Sequence, residues 1–190
     1  MTANQLELDR QFLAQAVAAV DEALRLEPRA IPIGAVLVID GVVRASGTNQ
    51  RIQQNNPILH GETSCLQNTG TSITEPEFAR STLYTTLSPC YMCAGAALRF
   101  KIPRVVVAEN RSFQESELLL RALGVEVTVL DDEGCYLRMK QFIEDYPDVW
   151  FGDITYIPPR PQPDYSQLDP ALAAKHWRKL GFVLPQDLEP

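Results

Sequence analysis

An α/β chain with a mixed five-stranded sheet between two helical layers is predicted by three features of the sequence. Apolar residues at helical spacing alternate along the chain with short β-branched runs, as in α/β sandwiches. "IGAVLVI" (33–39) and "VVRASGT" (42–48) are separated by Asp40 and Gly41 alone, which marks a tight antiparallel hairpin. A helical segment lies between "RVVVAE" (104–109) and "VEVTVL" (125–130), so these last two strands are expected to be parallel neighbours.

The elements follow in order. "NQLELDRQFLAQAVAAVDEALRL" places Leu13, Ala16, Val17, Val20, Ala23 and Leu24 on one helical face, and Pro28 and Pro32 bracket its exit. The hairpin follows, then a polar loop from 49 to 59, then a short helix starting near His60. "TLYTTL" (82–87) reads as a strand, and "CYMCAGAALRF" as a helix that ends before Pro103. "RVVVAE" is a strand, "SELLLRALG" a helix closed by Gly124, "VEVTVL" a strand and "DEGCYLRMKQFIEDY" a helix.

Composition shifts near residue 158. The last 33 residues hold seven of the 14 prolines, and "IPPRPQPDYS" excludes regular helix or central strand. Beyond it, Asp169 as N-cap, Pro170 at the first helical position and Gly181 as stop predict one short helix. The expected organisation is a catalytic domain over 1–157 and a Pro-rich arm over 158–190. Trp177, Leu180 and Phe182 give the arm apolar surface to pack on its own domain or on a partner subunit.

The totals exclude several classes. A length of 190 residues suffices for one domain with a full core, and 45% hydrophobic with 22% charged residues is ordinary for a globular protein. No apolar run approaches the roughly 20 residues of a membrane span. "MTANQLELDR" has neither the basic nor the apolar region of a secretion signal, and four cysteines are too few for a disulfide scaffold. A cytoplasmic location with reduced thiols is expected. The net charge of −7 argues against a nucleic-acid partner, whose phosphates need clustered Lys and Arg.

The chemistry concentrates in "SPCYMCAGA" (88–96). Alone, Cys90 and Cys93 could be a metal clasp, a redox pair or two core thiols. Upstream, "LHGET" adds His60 and Glu62. His60, Cys90 and Cys93 are three ligands of the types zinc prefers, and three protein ligands leave a fourth position open, as in catalytic sites. A helix N-terminus at Cys90 lowers thiol pKa and favours the ligating form. Glu62 can lie beside the bound water without ligating and shuttle protons. His-x-Glu followed by Pro-Cys-x-x-Cys is the signature of zinc deaminases. A structural site would need a fourth ligand; Cys65 and Cys135 qualify by type but read as packing residues. His176, beside Lys175 and Arg178, reads as a surface residue.

With these motifs the chain resembles the cytidine-deaminase-like zinc aminohydrolases, and within them the fungal (yeast-type) cytosine deaminases. "IPIGAVL", "TNQRIQ", "LHGETS", "TLYTTLSPCYMCAGA", "IPRVVVAEN", "LDDEGC", "MKQFI" and "DVWFGDI" carry the resemblance, in order, from about residue 10 to 157. It implies one Zn²⁺ per chain and a homodimer. It also implies that Asn49 bonds the pyrimidine edge and that Asp153 accepts from the exocyclic amine. Phe113 and Trp150 would cover the base, Ile33 and Leu87 would line the pocket, and backbone groups of Gly61 and Ser88 would complete the polar contacts. Without the resemblance, a strand-end turn role stands open for Asn49, whereas Asp153 reads as a turn cap and Phe113 and Trp150 as core aromatics. "ENRSF" departs from the family pattern: Arg111 and Ser112 stand where small neutral residues are expected near the pocket mouth.

The resulting expectation is hydrolytic deamination of a free nucleobase, cytosine to uracil plus ammonia, by zinc-activated water with Glu62 as proton shuttle. Alternatives are another small amino-heterocycle (isocytosine, creatinine, a guanine-like base), a tRNA adenosine deaminase, or an inactive scaffold with structural zinc. Residues 1–157 carry 13 basic and 20 acidic residues, which weighs against tRNA.

Overall fold

Six consecutive buried residues make up strand β1 (Gly34–Ile39). A run with no polar alternation belongs in the middle of a sheet covered on both faces. In the computed structural model, which describes residues 2–154, β1 lies inside the sheet. It pairs antiparallel with β2 (Val42–Thr48) on one side and with β3 (Ser81–Leu87) on the other. β3 pairs parallel with β4 (Arg104–Glu109), and β4 parallel with β5 (Glu126–Val129). The order is β2-β1-β3-β4-β5, the expected mixed sheet with its last two strands parallel. Asp40 and Gly41 both take positive φ, 51° and 76°, as a two-residue hairpin that matches strand twist requires.

Helices cover both faces. On one, α1 (Ala3–Leu26) buries Ala16 against Val36, Val38, Tyr84 and Val106. Its Leu13 packs with Ala108 and with Cys135 of α6 (Glu133–Asp145). On the other, α2 (Gly61–Asn68), α4 (Tyr91–Arg99) and α5 (Glu117–Ala122) place Cys65, Leu66, Ala94, Ala97 and Leu120 against Leu37, Leu83, Val105 and Val107. Two glycines permit the close approach. A Cβ at Gly34 would meet Val20 Cγ2 at 2.7 Å, and one at Gly47 would lie 2.2 Å from the Cys65 nitrogen.

One residue breaks the apolar face of α1. Asp9 is fully buried and accepts from both Arg104 nitrogens at 2.8 and 2.7 Å, from the Tyr84 hydroxyl and from Gln5. This pair ties α1 to β4 with an ion pair whose lone pairs are well satisfied, the condition under which such a pair is tolerated in a core.

Two helices were not foreseen. α3 (Glu75–Phe78) is one turn held by a Thr74/Glu77 capping box, too short to show a period. α7 (Pro147–Asp153) begins with Pro147 at its first position and bears Trp150 and Asp153 three residues apart, on one face. No described helix is long and apolar enough to cross a membrane. The arm, with its expected helix over 169–181 and His176, lies outside the described residues.

The topology sets the site. β1 starts where β2, β3 and β4 end, because β1 runs antiparallel to β2 and β3. Ile33, Asn49, Ser88 and Asn110 therefore leave the same end of the sheet, where α2 and α4 also begin. Ligand sites of α/β sheets form outside the carboxyl ends of strands in this way.

Candidate active site

Two helices begin on a metal-type ligand. His60 is the N-cap of α2 and Cys90 the N-cap of α4, and neither side chain caps its helix. Both side chains turn towards each other instead. His60 Nδ1 lies 3.5 Å from Cys90 Sγ, and Cys90 Sγ 3.6 Å from Cys93 Sγ. The ligand atoms of His60, Cys90 and Cys93 all fall within 4.8 Å of one another. Cys93 sits one turn into α4, so the Cys-x-x-Cys spacing presents both sulfurs on one side. Cys65 is buried with its thiol 3.5 Å from the Ala45 carbonyl, and Cys135 lies on the opposite face of the sheet, so both are packing residues as expected.

Charges within the cluster reinforce each other. The Cys93 thiol, against the cost of burial and aided by His60, holds Cys90 well below the usual thiol range. Burial opposes charge on His60, but the Cys90 sulfur and the Asp153 carboxylate outweigh it and hold the imidazole up. Glu62, on the first turn of α2, is buried, and burial together with the Cys90 charge pushes its carboxyl up. Burial does the same to Asp153, against His60 and Arg51.

These groups open onto a cavity of about 280 Å³ lined by Ile33, His60, Glu62, Leu87, Ser88, Phe113, Trp150 and Asp153, among others. Phe113 stands edge-on to Trp150, with centroids 6.0 Å apart. The cavity is at the small end of ligand pockets, which span roughly 300–1,000 Å³. Two predicted residues stand just behind the lining. Gly61 packs against Ile33 and Gly34. Asn49 is fully buried; its Oδ1 accepts from the Arg51 N–H at 2.9 Å, which fixes the amide, and its Nδ2 donates to Asp153 Oδ2 at 3.1 Å. Asp153 Oδ1 lies 3.6 Å from both His60 Nε2 and Arg51. Among the described residues, neither that oxygen nor the buried Ser88 hydroxyl has a hydrogen-bond partner.

Comparison with known proteins gives the same picture. Residues 6–109 match the cytidine and deoxycytidylate deaminase zinc-binding region. The chain belongs to this deaminase family. It is 45% identical over 125 residues to a cytosine deaminase of Candida albicans, covering 65% of this chain and 83% of that protein. It is 37% identical over 127 residues to a tRNA-specific adenosine deaminase of Haemophilus influenzae, covering 66% and 69%. Its fold is similar to that of a tRNA:A34 deaminase solved in a study of A-to-I editing, with a TM-score of 0.54 and 26% identity, covering 63% of this chain and 97% of that one.

The donor set of this deaminase fits the zinc of its family. One imidazole nitrogen and two sulfurs converge, and the far nitrogen of His60 faces a carboxylate, the usual partner of a zinc-bound histidine. Among the described residues no fourth His, Cys, Asp or Glu joins the cluster, which is the open arrangement of a catalytic centre.

Two site features differ from the sequence reading. Arg111 does not line the pocket mouth: it turns away to Asp131 and Glu133 and lies over the Tyr136 ring at 3.8 Å. Its backbone N–H and that of Ser112 are instead held by the buried Glu109 carboxylate at 2.7 and 3.0 Å. Sequence reasoning missed Glu115, which lines the cavity and accepts from the Tyr91 N–H at 2.8 Å. It also missed Arg51 beside Asp153. No local pattern marks either residue, since both act across loops.

Proposed function

We propose that this zinc deaminase hydrolyses the exocyclic amine of a free nucleobase, cytosine, giving uracil and ammonia. The observation that carries this reading is the polar floor of a small aromatic pocket. Asp153 and Ser88, each with a buried oxygen that lacks a hydrogen-bond partner among the described residues, line a cavity of about 280 Å³ together with Phe113, Trp150, Ile33 and Leu87. That suits one flat heterocycle bearing an amine. The 45% identity to a cytosine deaminase supports the same substrate.

Each residue then has a role. Phe113 and Trp150 exclude water and hold the ring. Asp153 accepts from the exocyclic amine, and Asn49 fixes Asp153 while its second amide hydrogen reaches the pyrimidine edge. Backbone groups of Gly61 and Ser88 complete the polar contacts. His60, Cys90 and Cys93 would hold zinc, which when bound acts as a Lewis acid that activates water at neutral pH. Glu62 takes the proton that water loses, delivers it to the ring nitrogen and then assists the amine as ammonia leaves. Burial and the Cys90 charge raise its pKa, which favours a carboxyl that holds the proton between accepting it and returning it. Water and cytosine thus give uracil and ammonia with no other reactant.

The Haemophilus relative favours a second reading, deamination of adenosine in a transfer RNA. The acidic balance of residues 1–157 stands against it. Ammonia release from cytosine, isocytosine, creatinine, guanine and transfer RNA separates the readings. A homodimer, and an arm over 158–190 that packs on the 1–157 domain or on the partner, belong to the same proposal. Sedimentation of the full chain and of a chain ending at 157 tests both, and identical mass, stability and kinetics would remove any role for the arm.

A further inference from the structure

A helix that begins on a metal-type ligand has lost its ordinary cap. Cys90 is the N-cap of α4, yet its sulfur faces His60 and Cys93 and leaves the Tyr91 N–H to another partner. The first N–H groups of a helix need partners from elsewhere. For α4 one comes from a distant loop: the Tyr91 N–H donates to Glu115 Oε2 at 2.8 Å. The next loop residue holds the other side of the same turn, since the Ser116 hydroxyl donates to the Pro89 carbonyl at 2.6 Å. Glu115 and Ser116 therefore grip the residues on either side of Cys90.

The gripping loop also carries Phe113, two residues before Glu115 and edge-on to Trp150. Its other end is fixed by Glu109, which accepts from the N–H groups of Arg111 and Ser112. Phe113 thus stands on a short span anchored at both ends, once to the sheet and once to the metal-ligand turn.

We propose that Glu115 is a positioning residue that supplies the missing cap of α4 and thereby registers the Phe113 wall against the Cys90 turn. This rests on the base-deaminating reading of the pocket. The grip sets how far the ring stands from the reacting water, and a carboxylate serves because it bonds the Tyr91 N–H more strongly than a neutral acceptor does.

The test uses the full chain loaded with zinc, with E115A, E115Q and S116A beside the wild type. In E115A, hydrogen exchange at the Tyr91 amide and across residues 111–114 is expected to quicken roughly tenfold or more, the factor that loss of a bond to a charged group implies. KM for the substrate that the wild type turns over fastest should rise roughly tenfold in parallel, with zinc content unchanged. S116A should move KM in the same direction, and E115Q, which keeps an acceptor oxygen, should recover most of both readouts. An E115A chain with a lowered melting temperature but wild-type KM would overturn the proposal, because Glu115 would then be only a structural cap. Unchanged exchange would overturn it as well. A wild type inert on cytosine would overturn the cytosine reading alone, and the exchange contrast between E115A and E115Q would still decide the grip.

Discussion

Glu62 and the Asn49–Asp153 pair carry the most chemistry per atom in this chain. Glu62→Gln keeps the shape of the site but can neither take nor return a proton. It is expected to retain about one zinc per chain by metal analysis while kcat falls by roughly 10²–10⁴-fold. Asn49 and Asp153 share one hydrogen bond, so their effects should overlap. N49A and D153A are each expected to lower kcat/KM roughly tenfold or more, and the double variant to lose less than the product of the two. Additive losses would show that they act independently. The metal-type ligands were legible in the sequence because His-x-Glu and Pro-Cys-x-x-Cys each have a fixed internal spacing at a helix start. Contacts made across the fold were not: Glu109, Arg51 and Glu115 meet their partners only after the chain has folded, and a lone charged residue at a strand end or in a loop has no period to betray it.

At the scale of elements, the sheet was legible almost strand by strand. β2 and β4 fall on the quoted segments, and the Asp40-Gly41 hairpin needs the positive φ that those residues tolerate. α7 was not legible, because seven residues give barely two turns and the sequence has no apolar stripe there. Pro147 at the first position, with Trp150 and Asp153 three apart, is the signal that would have found it. The packing of α2 on β2 depends on a glycine. A Gly47→Ala methyl would lie 2.2 Å from the Cys65 nitrogen, which is backbone and cannot step aside. The variant is expected to lose about 3 kcal/mol by urea unfolding. Wild-type stability would mean that α2, and with it His60 and Glu62, can shift freely on the sheet.

The whole molecule is held together partly by a charge that composition could not reveal. Asp9 sits on the buried face of α1, where the apolar period suggested only packing. Burial alone would raise its carboxyl, but Arg104, Gln5 and Tyr84 outweigh it and hold it below its ordinary 3.8. The stability it confers is therefore complete above that value and lost as pH falls through the lower folded-state value. Asp9→Asn is expected to cost about 3 kcal/mol at pH 7, measured by urea unfolding, because Arg104 loses its buried counter-charge and keeps only the exposed Glu126. The loss should shrink when unfolding is measured below the folded-state value, and an equal loss at every pH would contradict the linkage. The function rests on the pocket that this frame supports. Ammonia release by the purified, zinc-loaded full chain tests it most directly. Steady release from cytosine, abolished in E62Q, is the expected result. Cytosine left intact while a transfer RNA is deaminated would contradict it.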